Sequence, residues 1–195
     1  MSEADIIKKV RDILNEHGGD DAVSIGTDRV LLEDYIKSAI PDAVVMLAQK
    51  GYRVNVKHIV LPDSEQEFED FISLISYEKP LWKKVVTKIT ERDSPEYVMA
   101  QNEFTKPGVN SPIVFIDSLG YLRALPQPTL EDLRDDPNVA KSEVYYNAKY
   151  DGGTLNAGEK EAAAVCYMTA ALVLGMFGDD NGKQRLSDIS MNMLQ

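Results

Sequence analysis

Apolar residues recur at helical spacing near the start of the chain. From Ile6 to Leu14 they lie three or four positions apart, which predicts an amphipathic helix from about Glu3 to His17. We expect Gly18 and Gly19 to end this helix, because glycine commonly terminates helices. A second helix is expected to follow, with Thr27 as its N-terminal cap.

The second helix has an apolar stripe that continues to Gly51. Its members share the three- and four-residue spacing of a buried helix face and are Leu32, Ile36, Ala39, Ala43 and Leu47. Pro41 falls within the stripe, where it removes a backbone donor and disfavours helical geometry at Ile40. We therefore predict a kink or a break at Pro41.

The middle of the chain has the alternating pattern of short strands. Alternation begins at Tyr52, and a capping box at 64–67 predicts a short helix before a strand at 71–76. Gly120 suits the turn of a hairpin, because glycine adopts positive φ without strain. The remaining predicted strands are 82–89, 96–101, 112–117, 121–125 and one beginning at Ser142, with a short helix capped by Thr129 before the last of them.

The closing segment is apolar on every side of a helix between 162 and 177. Such a helix is buried in a protein core, in lipid or against another chain. It is shorter than the roughly 20 residues that span a bilayer, so lipid is the least favoured answer. We expect Asn156 and Glu159 to cap it and a tight connection at 178–182 to lead into a final helix with the stripe Leu186, Ile189 and Met193.

These patterns predict the α+β class. The simplest construction is a helical bundle formed by residues 1–51 and 154–195, with an antiparallel β-rich insertion at 52–153. A chain of 195 residues is long enough to bury a core in this way.

The charge balance is acidic throughout. The chain carries 32 acidic and 21 basic residues, for a net charge of -11. Such a charge repels phosphate backbones, so stable nucleic-acid binding is disfavoured. The N-terminus mixes charged with apolar residues and has no signal-peptide pattern, which favours production in the cytoplasm.

No residue pattern predicts catalysis, a cofactor or a metal. His17 and His58 stand alone, without the spacing that places two imidazoles on one helix face for zinc. Cys166 lies among alanines and valine, which favours an inert buried thiol over a nucleophile. A further alternative is an enzyme that uses carboxylates, for which the candidates are Asp179, Asp180 and Glu159. The first two are better explained as a turn and a helix cap.

The aromatic residues of the middle segment have two interpretations. Trp82, Tyr145 and Tyr146 could form a binding surface. Single aromatic residues on short strands more often belong to the sheet core or form cross-strand pairs, so we predict a core role.

Several segments resemble one family. "LPDS" leading to "FISLIS", "LW" followed by a basic stretch, "SPEY" with "QNEF", and "SPIVFI" lie between two helical pairs. This arrangement resembles the ring or adaptor proteins under the portal of short-tailed bacteriophages, most of all those of crAss-like phages of Bacteroides. Pro41 in the second helix departs from the continuous helix that the resemblance leads us to expect.

The resemblance implies a structural virion protein at the head-to-tail junction and no enzyme activity. Its implied partners are further copies of itself in a ring, expected to be twelvefold, together with the phage portal protein and the tail ring or hub proteins. Genomic DNA would pass through the lumen without specific binding, and no membrane is involved. The residues expected at the subunit interface are Tyr35, Met46, Met168, Leu172, Met176 and Met193.

One alternative belongs to another class of function. A monomeric acidic binding module could act on a host protein by presenting a phosphate-like surface. Such a module would compete with nucleic acid for a basic partner, whereas a ring subunit would self-associate.

Overall fold

The structure is a computed structural model that describes residues 1–17, 29–61, 68–102 and 104–195. The predictions at Gly18, Gly19 and Thr27, and the capping box at 64–67, lie outside the described residues. The side chain of His17 does as well.

The described residues form an α+β protein, as the sequence predicts. The helices are α1 (Glu3–His17), α2 (Arg29–Gln49), α3 (Pro95–Ala100), α4 (Leu130–Asp135), α5 (Glu159–Met176) and α6 (Asp180–Met193). The strands are β1 (Val56–Leu61), β2 (Phe71–Glu78), β3 (Ile113–Ile116), β4 (Leu122–Leu125) and β5 (Ser142–Ala148), and a 3₁₀ turn covers Pro137–Ala140.

The chain divides into two compact units. A helical unit comprises Met1–Val56 and Ala148–Gln195, and a β-rich unit comprises Lys57–Asn147. The first contains α1, α2, α5 and α6, whereas the second contains all but the ends of β1 and β5 together with the remaining elements.

Helix α5 is the centre of the helical unit. It packs against α1, α2 and α6, and its side chains from Ala162 to Leu174 are mostly buried. Two polar side chains in this core are satisfied by backbone carbonyls: Thr169 Oγ1 donates to Val165 O, and Ser190 Oγ of α6 donates to Ala164 O, both at 2.7 Å. The structure thus explains the apolar closing segment by burial inside the unit. In the described part of the chain, no helix is both long and apolar enough to cross a membrane.

Helix α2 is continuous through Pro41, so of the predicted kink or break the break is wrong, and the kink stays a prediction. Ile40 and Ala43 on either side of the proline are fully buried. Their burial in the core against α5 compensates for the missing hydrogen bond, which costs about 3 kcal/mol in an isolated helix. The predicted stripe of α2 is buried from Ile36 to Leu47.

The first strand starts later than predicted. Alternation from Tyr52 fails because Val54 and Asn55, which are adjacent, are both buried. The side-chain amide of Asn55 donates through Nδ2 to Ala148 O at 3.1 Å and to Lys149 O at 3.2 Å. These two hydrogen bonds connect the segment before β1 to the end of β5. The strand begins at Val56.

The predicted cap of α5 is also wrong. Gly158 is the N-cap, and no side chain accepts a hydrogen bond there. Asn156 instead donates its side-chain amide to Val56 O, and its own N–H donates to Asn55 Oδ1. These hydrogen bonds of Asn156 connect the two chain segments that make up the helical unit, Met1–Val56 and Ala148–Gln195.

The β-rich unit contains a small antiparallel sheet in the order β1-β5-β2 and a separate antiparallel ribbon of β3 and β4. In the ribbon Ile113 pairs with Leu125 and Ile116 with Leu122. Gly120 in its turn has φ +89, as predicted. The strands predicted at 71–76, 112–117, 121–125 and from Ser142 are confirmed within their observed bounds.

Two predicted strands of this unit are wrong. Residues 96–101 form α3, because Ser94 caps the helix by accepting from Tyr97 N and Pro95 occupies its first turn. Residues 82–89 are irregular apart from one bridge between Val86 and Tyr77. The short helix predicted after Thr129 is confirmed as α4, with a capping box between Thr129 and Asp132.

Candidate assembly surfaces

An apolar cluster is exposed where α5 ends. We define the α5-end cluster as Tyr35, Leu172, Met176 and Phe177. Met176 is 49% and Phe177 41% exposed, and Tyr35 of α2 meets Phe177 edge to face with ring centroids 5.1 Å apart. Leu172 is half-buried one turn before Met176 on the same helix face. Burial of such side chains favours association by about 25 cal/mol per Å² of apolar area, so the cluster can serve as a contact surface.

The connection between α5 and α6 fixes this cluster in place. Gly178 has φ +83, and Asp179 N donates to Leu174 O at 3.0 Å, which turns the chain directly after Phe177. Asp179 then caps α6 by accepting from Gly182 N at 2.8 Å. The tight connection predicted at 178–182 is therefore present, and Asp179 has a structural role in it.

Three of the predicted interface residues belong to the α5-end cluster: Tyr35, Leu172 and Met176. Met168 is 2% exposed and lies in the core of the helical unit. Its assignment to an interface is corrected, because a side chain that is already covered within the subunit offers no area to a neighbour. Although Met168 lies one turn before Leu172, it is covered by α6, where Ser187 Oγ is 3.9 Å from its sulfur.

Met46 and Met193 lie away from the α5-end cluster. The contact of Tyr35 with Phe177 shows that the early part of α2 meets the end of α5, so the later turns of α2, with Met46, lie towards the start of α5. Ser190 of α6 bonds to Ala164, which places Met193 towards that same start of α5. Met46 is 38% exposed and Met193 half-buried. The six residues therefore do not form one surface.

A second exposed apolar group lies in the β-rich unit and was missed from the sequence. Tyr97 and Ala100 of α3 pack on Ile113 and Phe115, which leaves Val98 62% and Met99 47% exposed. The strand predicted at 96–101 hides this group, because a strand directs consecutive side chains to opposite faces. In α3 the consecutive residues Val98 and Met99 are both exposed. The signal that could have revealed α3 is Ser94 followed by Pro95.

The turn after α3 presents an aromatic ring. Phe104 is 96% exposed, although its backbone N–H donates to Asn102 Oδ1 at 2.9 Å. Thr105 Oγ1 also donates to Met99 O at 2.7 Å. These two hydrogen bonds tie Phe104 and Thr105 to the end of α3, and the ring of Phe104 is exposed beside it.

The sheet of the β-rich unit contains a polar cluster that is structural in character. Lys57 Nζ is paired with one carboxylate oxygen of Asp70, and Tyr146 Oη donates to the other at 3.1 Å. Burial raises the pKa of Tyr146 to about 12, and the adjacent carboxylate adds to the effect. Burial alone would raise the pKa of Asp70, but the hydrogen bonds from Lys57 and Tyr146 bring it below its usual value. Tyr146 also packs on Phe68 and Phe71.

The other aromatic predictions fall mostly in the core. Trp82 is 9% exposed, meets Tyr77 at a centroid distance of 5.5 Å and donates through Nε1 to Pro126 O at 3.1 Å. His58 lies on β1, partly exposed, and stacks on Tyr145 at 4.2 Å. The core role predicted for Trp82 and Tyr146 is confirmed, whereas Tyr145 is half-buried and stacks on His58 instead.

The residues considered for catalysis are not brought together. Glu159 begins α5 and Asp179 follows its end, so the length of the helix, about 25 Å at the helical rise per residue, lies between them. Cys166 is 1% exposed, and burial raises the pKa of its thiol to about 11. Within the described ranges no group of three metal-binding side chains is present.

No family model matches the chain, and no curated protein matches it either.

Proposed function

We propose that the protein is a structural subunit of a phage head-to-tail connector, which assembles into a closed ring between the portal and the tail. The observation that carries the proposal is the α5-end cluster: the helical unit, with α5 buried at its centre, still exposes Met176 and Phe177 beside the half-buried Tyr35. Exposed apolar clusters with a polar surround are typical of protein-protein contacts. The likeness of the β-rich segments to phage adaptor proteins supports the same function.

The acidic charge is consistent with a channel through which DNA moves. The net charge of -11 gives the ring a surface that repels phosphate and offers no deep binding well. In this proposal the lumen passes the genome without holding it, and the portal and tail ring or hub proteins are the axial partners. A closed ring requires two different faces that fit each other, because head-to-tail contacts are heterologous.

The test is electron microscopy of the purified protein with a surface variant. Wild-type protein should show closed rings in end-on views, and the double variant Met176→Glu/Phe177→Glu should lose them, because buried carboxylates at the contact are unpaired. Val60→Glu is the matched control: Val60 is 52% exposed on β1, so the same chemical change should leave rings intact. Rings that persist in the double variant would show that the α5-end cluster is not part of the contact between subunits. The absence of rings in wild-type protein would contradict the proposal.

A further inference from the structure

The β-rich unit carries a basic, partly apolar face in an acidic chain. Residues 79–90 and 104–112 together contain five lysines and no aspartate or glutamate. Because these five are among the 21 basic residues, the rest of the chain has 16 basic against all 32 acidic side chains. These two segments therefore carry a net positive charge, whereas the rest of the chain is strongly acidic.

The two segments lie side by side. Lys83 N donates to Val109 O at 2.9 Å, which joins the first segment to the second. The start of the first segment is anchored inside the unit, because Lys79 Nζ donates to Gln127 Oε1 at 2.7 Å and Trp82 Nε1 to Pro126 O. We define the basic face as the exposed side chains that follow these anchors: Lys83, Lys84, Val85, Lys88, Lys106 and Val109.

Three lysines of this face have no ionic partner among the described residues: Lys83, Lys84 and Lys88. Val85 is 41% and Val109 36% exposed between them, and Phe104 extends from the second segment. A face of cations around apolar side chains fits a partner with carboxylates around apolar side chains.

The same chain contains a surface of that kind. Helix α4 has no buried residue, and Leu130 at its start is 83% exposed. Around this leucine the segment carries Glu131, Asp132, Asp135 and Asp136 against Arg134 alone, so its charge is opposite to that of the basic face. Exposed valines and an exposed phenylalanine favour a protein contact over a phosphate backbone, because phosphates offer nothing apolar to cover them.

We propose that the basic face docks on α4 of a second copy of this chain. The inference rests on the proposed function, since it supplies the two different, complementary faces that a closed ring requires. Lys83, Lys84 and Lys88 face the carboxylates of α4, and Leu130 of the neighbour lies against Val85 and Val109. The contact is sensitive to salt, because exposed charges are screened within about 10 Å at 0.1 M ionic strength.

The test uses two charge reversals and their mixture. Variant one is Lys83→Glu/Lys84→Glu/Lys88→Glu, and variant two is Glu131→Lys/Asp132→Asn/Asp135→Lys, with self-association followed by sedimentation velocity. Each variant alone should associate about tenfold or more weakly than wild type, because most of the attractive pairs become repulsive or are lost. An equimolar mixture should recover the association, since the reversed face of one variant then meets the reversed helix of the other.

The control variant changes the same charge elsewhere. Lys8, Lys37 and Lys160 are exposed lysines of the helical unit, and their replacement by glutamate should leave association within about twofold of wild type. Urea unfolding of all variants shows that each is folded before it is compared.

The outcomes separate this inference from the proposed function. Rings that resist variant one, or a mixture that does not recover, overturn the basic face while the ring function stands. A wild-type chain that remains monomeric overturns both. A third outcome is that variant one forms rings of unchanged mass but no longer binds a labelled duplex oligonucleotide that the wild type binds. The lysines at 83, 84 and 88 would then bind phosphate, and docking on α4 would be overturned.

Discussion

The two units of the molecule are stabilised in different ways. In the helical unit, α5 is surrounded by three other helices, and its core consists of alanine, valine and leucine side chains with almost no exposure. In the β-rich unit, a small cluster of Ala100, Ile113 and Phe115 packs α3 on the ribbon, and further buried apolar side chains include Tyr77, Trp82 and Val144. Much of the rest is ordered by individual hydrogen bonds. Both units have an apolar core, but single hydrogen bonds order more of the irregular segments of the β-rich unit.

This difference has a consequence for assembly. A unit with a complete core exposes apolar side chains only at its edge, as in the α5-end cluster. A unit held by turns and caps can support irregular, exposed segments, such as residues 83–88, without loss of order. The helical unit is suited to a rigid framework, and the β-rich unit to surface recognition.

The largest expected effect is in the core of the helical unit. Leu174→Ala should lower the free energy of unfolding by about 3 kcal/mol, because Leu174 is fully buried and the truncation leaves a cavity. Leu172→Ala is the matched control on the same helix and should cost about 1 kcal/mol, since Leu172 is already half-exposed. Urea denaturation measures both, and equal losses would show that α5 is not the centre of the core.

A smaller effect is expected in the β-rich unit, from a polar residue. Asp117 accepts from Leu119 N at 2.8 Å, from Tyr121 N at 3.0 Å and from Arg123 Nε at 2.8 Å, so it organises the β3–β4 turn. Asp117→Ala should cost about 2 kcal/mol, because three donors lose their acceptor.

Hydrogen exchange can locate that loss. Faster exchange should be confined to the β3–β4 ribbon and α3 in Asp117→Ala, whereas the exposed control Asp135→Ala should change exchange nowhere in the ribbon. Faster exchange throughout α5 in the same variant would mean that the two units do not differ in the way described here.

The helix cap at Asp179 should have an effect of about 1 kcal/mol. Asp179→Ala removes the acceptor for Gly182 N at the start of α6, whereas Asp179→Ser retains a side-chain oxygen and should cost only a few tenths. Thermal unfolding compares the two variants with Asp180→Ala, whose exposed side chain does not cap the helix. If the alanine and serine variants are equally stable, the cap contributes nothing.

The smallest effect is a pH dependence at Asp70. Its pKa is lower in the folded protein than in the unfolded chain, so it stabilises the fold above its unfolded pKa and loses that contribution as the pH falls through the folded value. Asp70→Asn should therefore reduce stability at pH 7 by no more than about 1 kcal/mol, since the pair with Lys57 is partly exposed. The difference from wild type should shrink below about pH 4. Urea midpoints at pH 7 and pH 3 measure it, and a constant difference would contradict the assignment.

The helical unit was largely predictable from the sequence. The bounds of α1 and the buried stripe of α2 follow from the period of apolar residues, because that period reports directly which face enters a core. The exception is Pro41, where tertiary packing overrides a local preference.

The β-rich unit was less predictable, for a physical reason. At 96–101 the capping geometry of Ser94 and Pro95 outweighs an apolar composition that also suits a strand. At 82–89 the apolar residues are anchored by single contacts to Tyr77 and Pro126, and no pattern along the chain encodes such contacts. The candidate surfaces were equally hard to foresee: Met168 and Met176 have the same side chain, and only the packing of α6 decides which one is covered.

The most direct test of ring assembly is the solution mass of the wild-type chain by light scattering over a wide concentration range. The account predicts a single mass that is an integral multiple of the 21.7 kDa chain and stays constant over the upper part of the range, as a closed ring requires. A strict monomer at every concentration would contradict it.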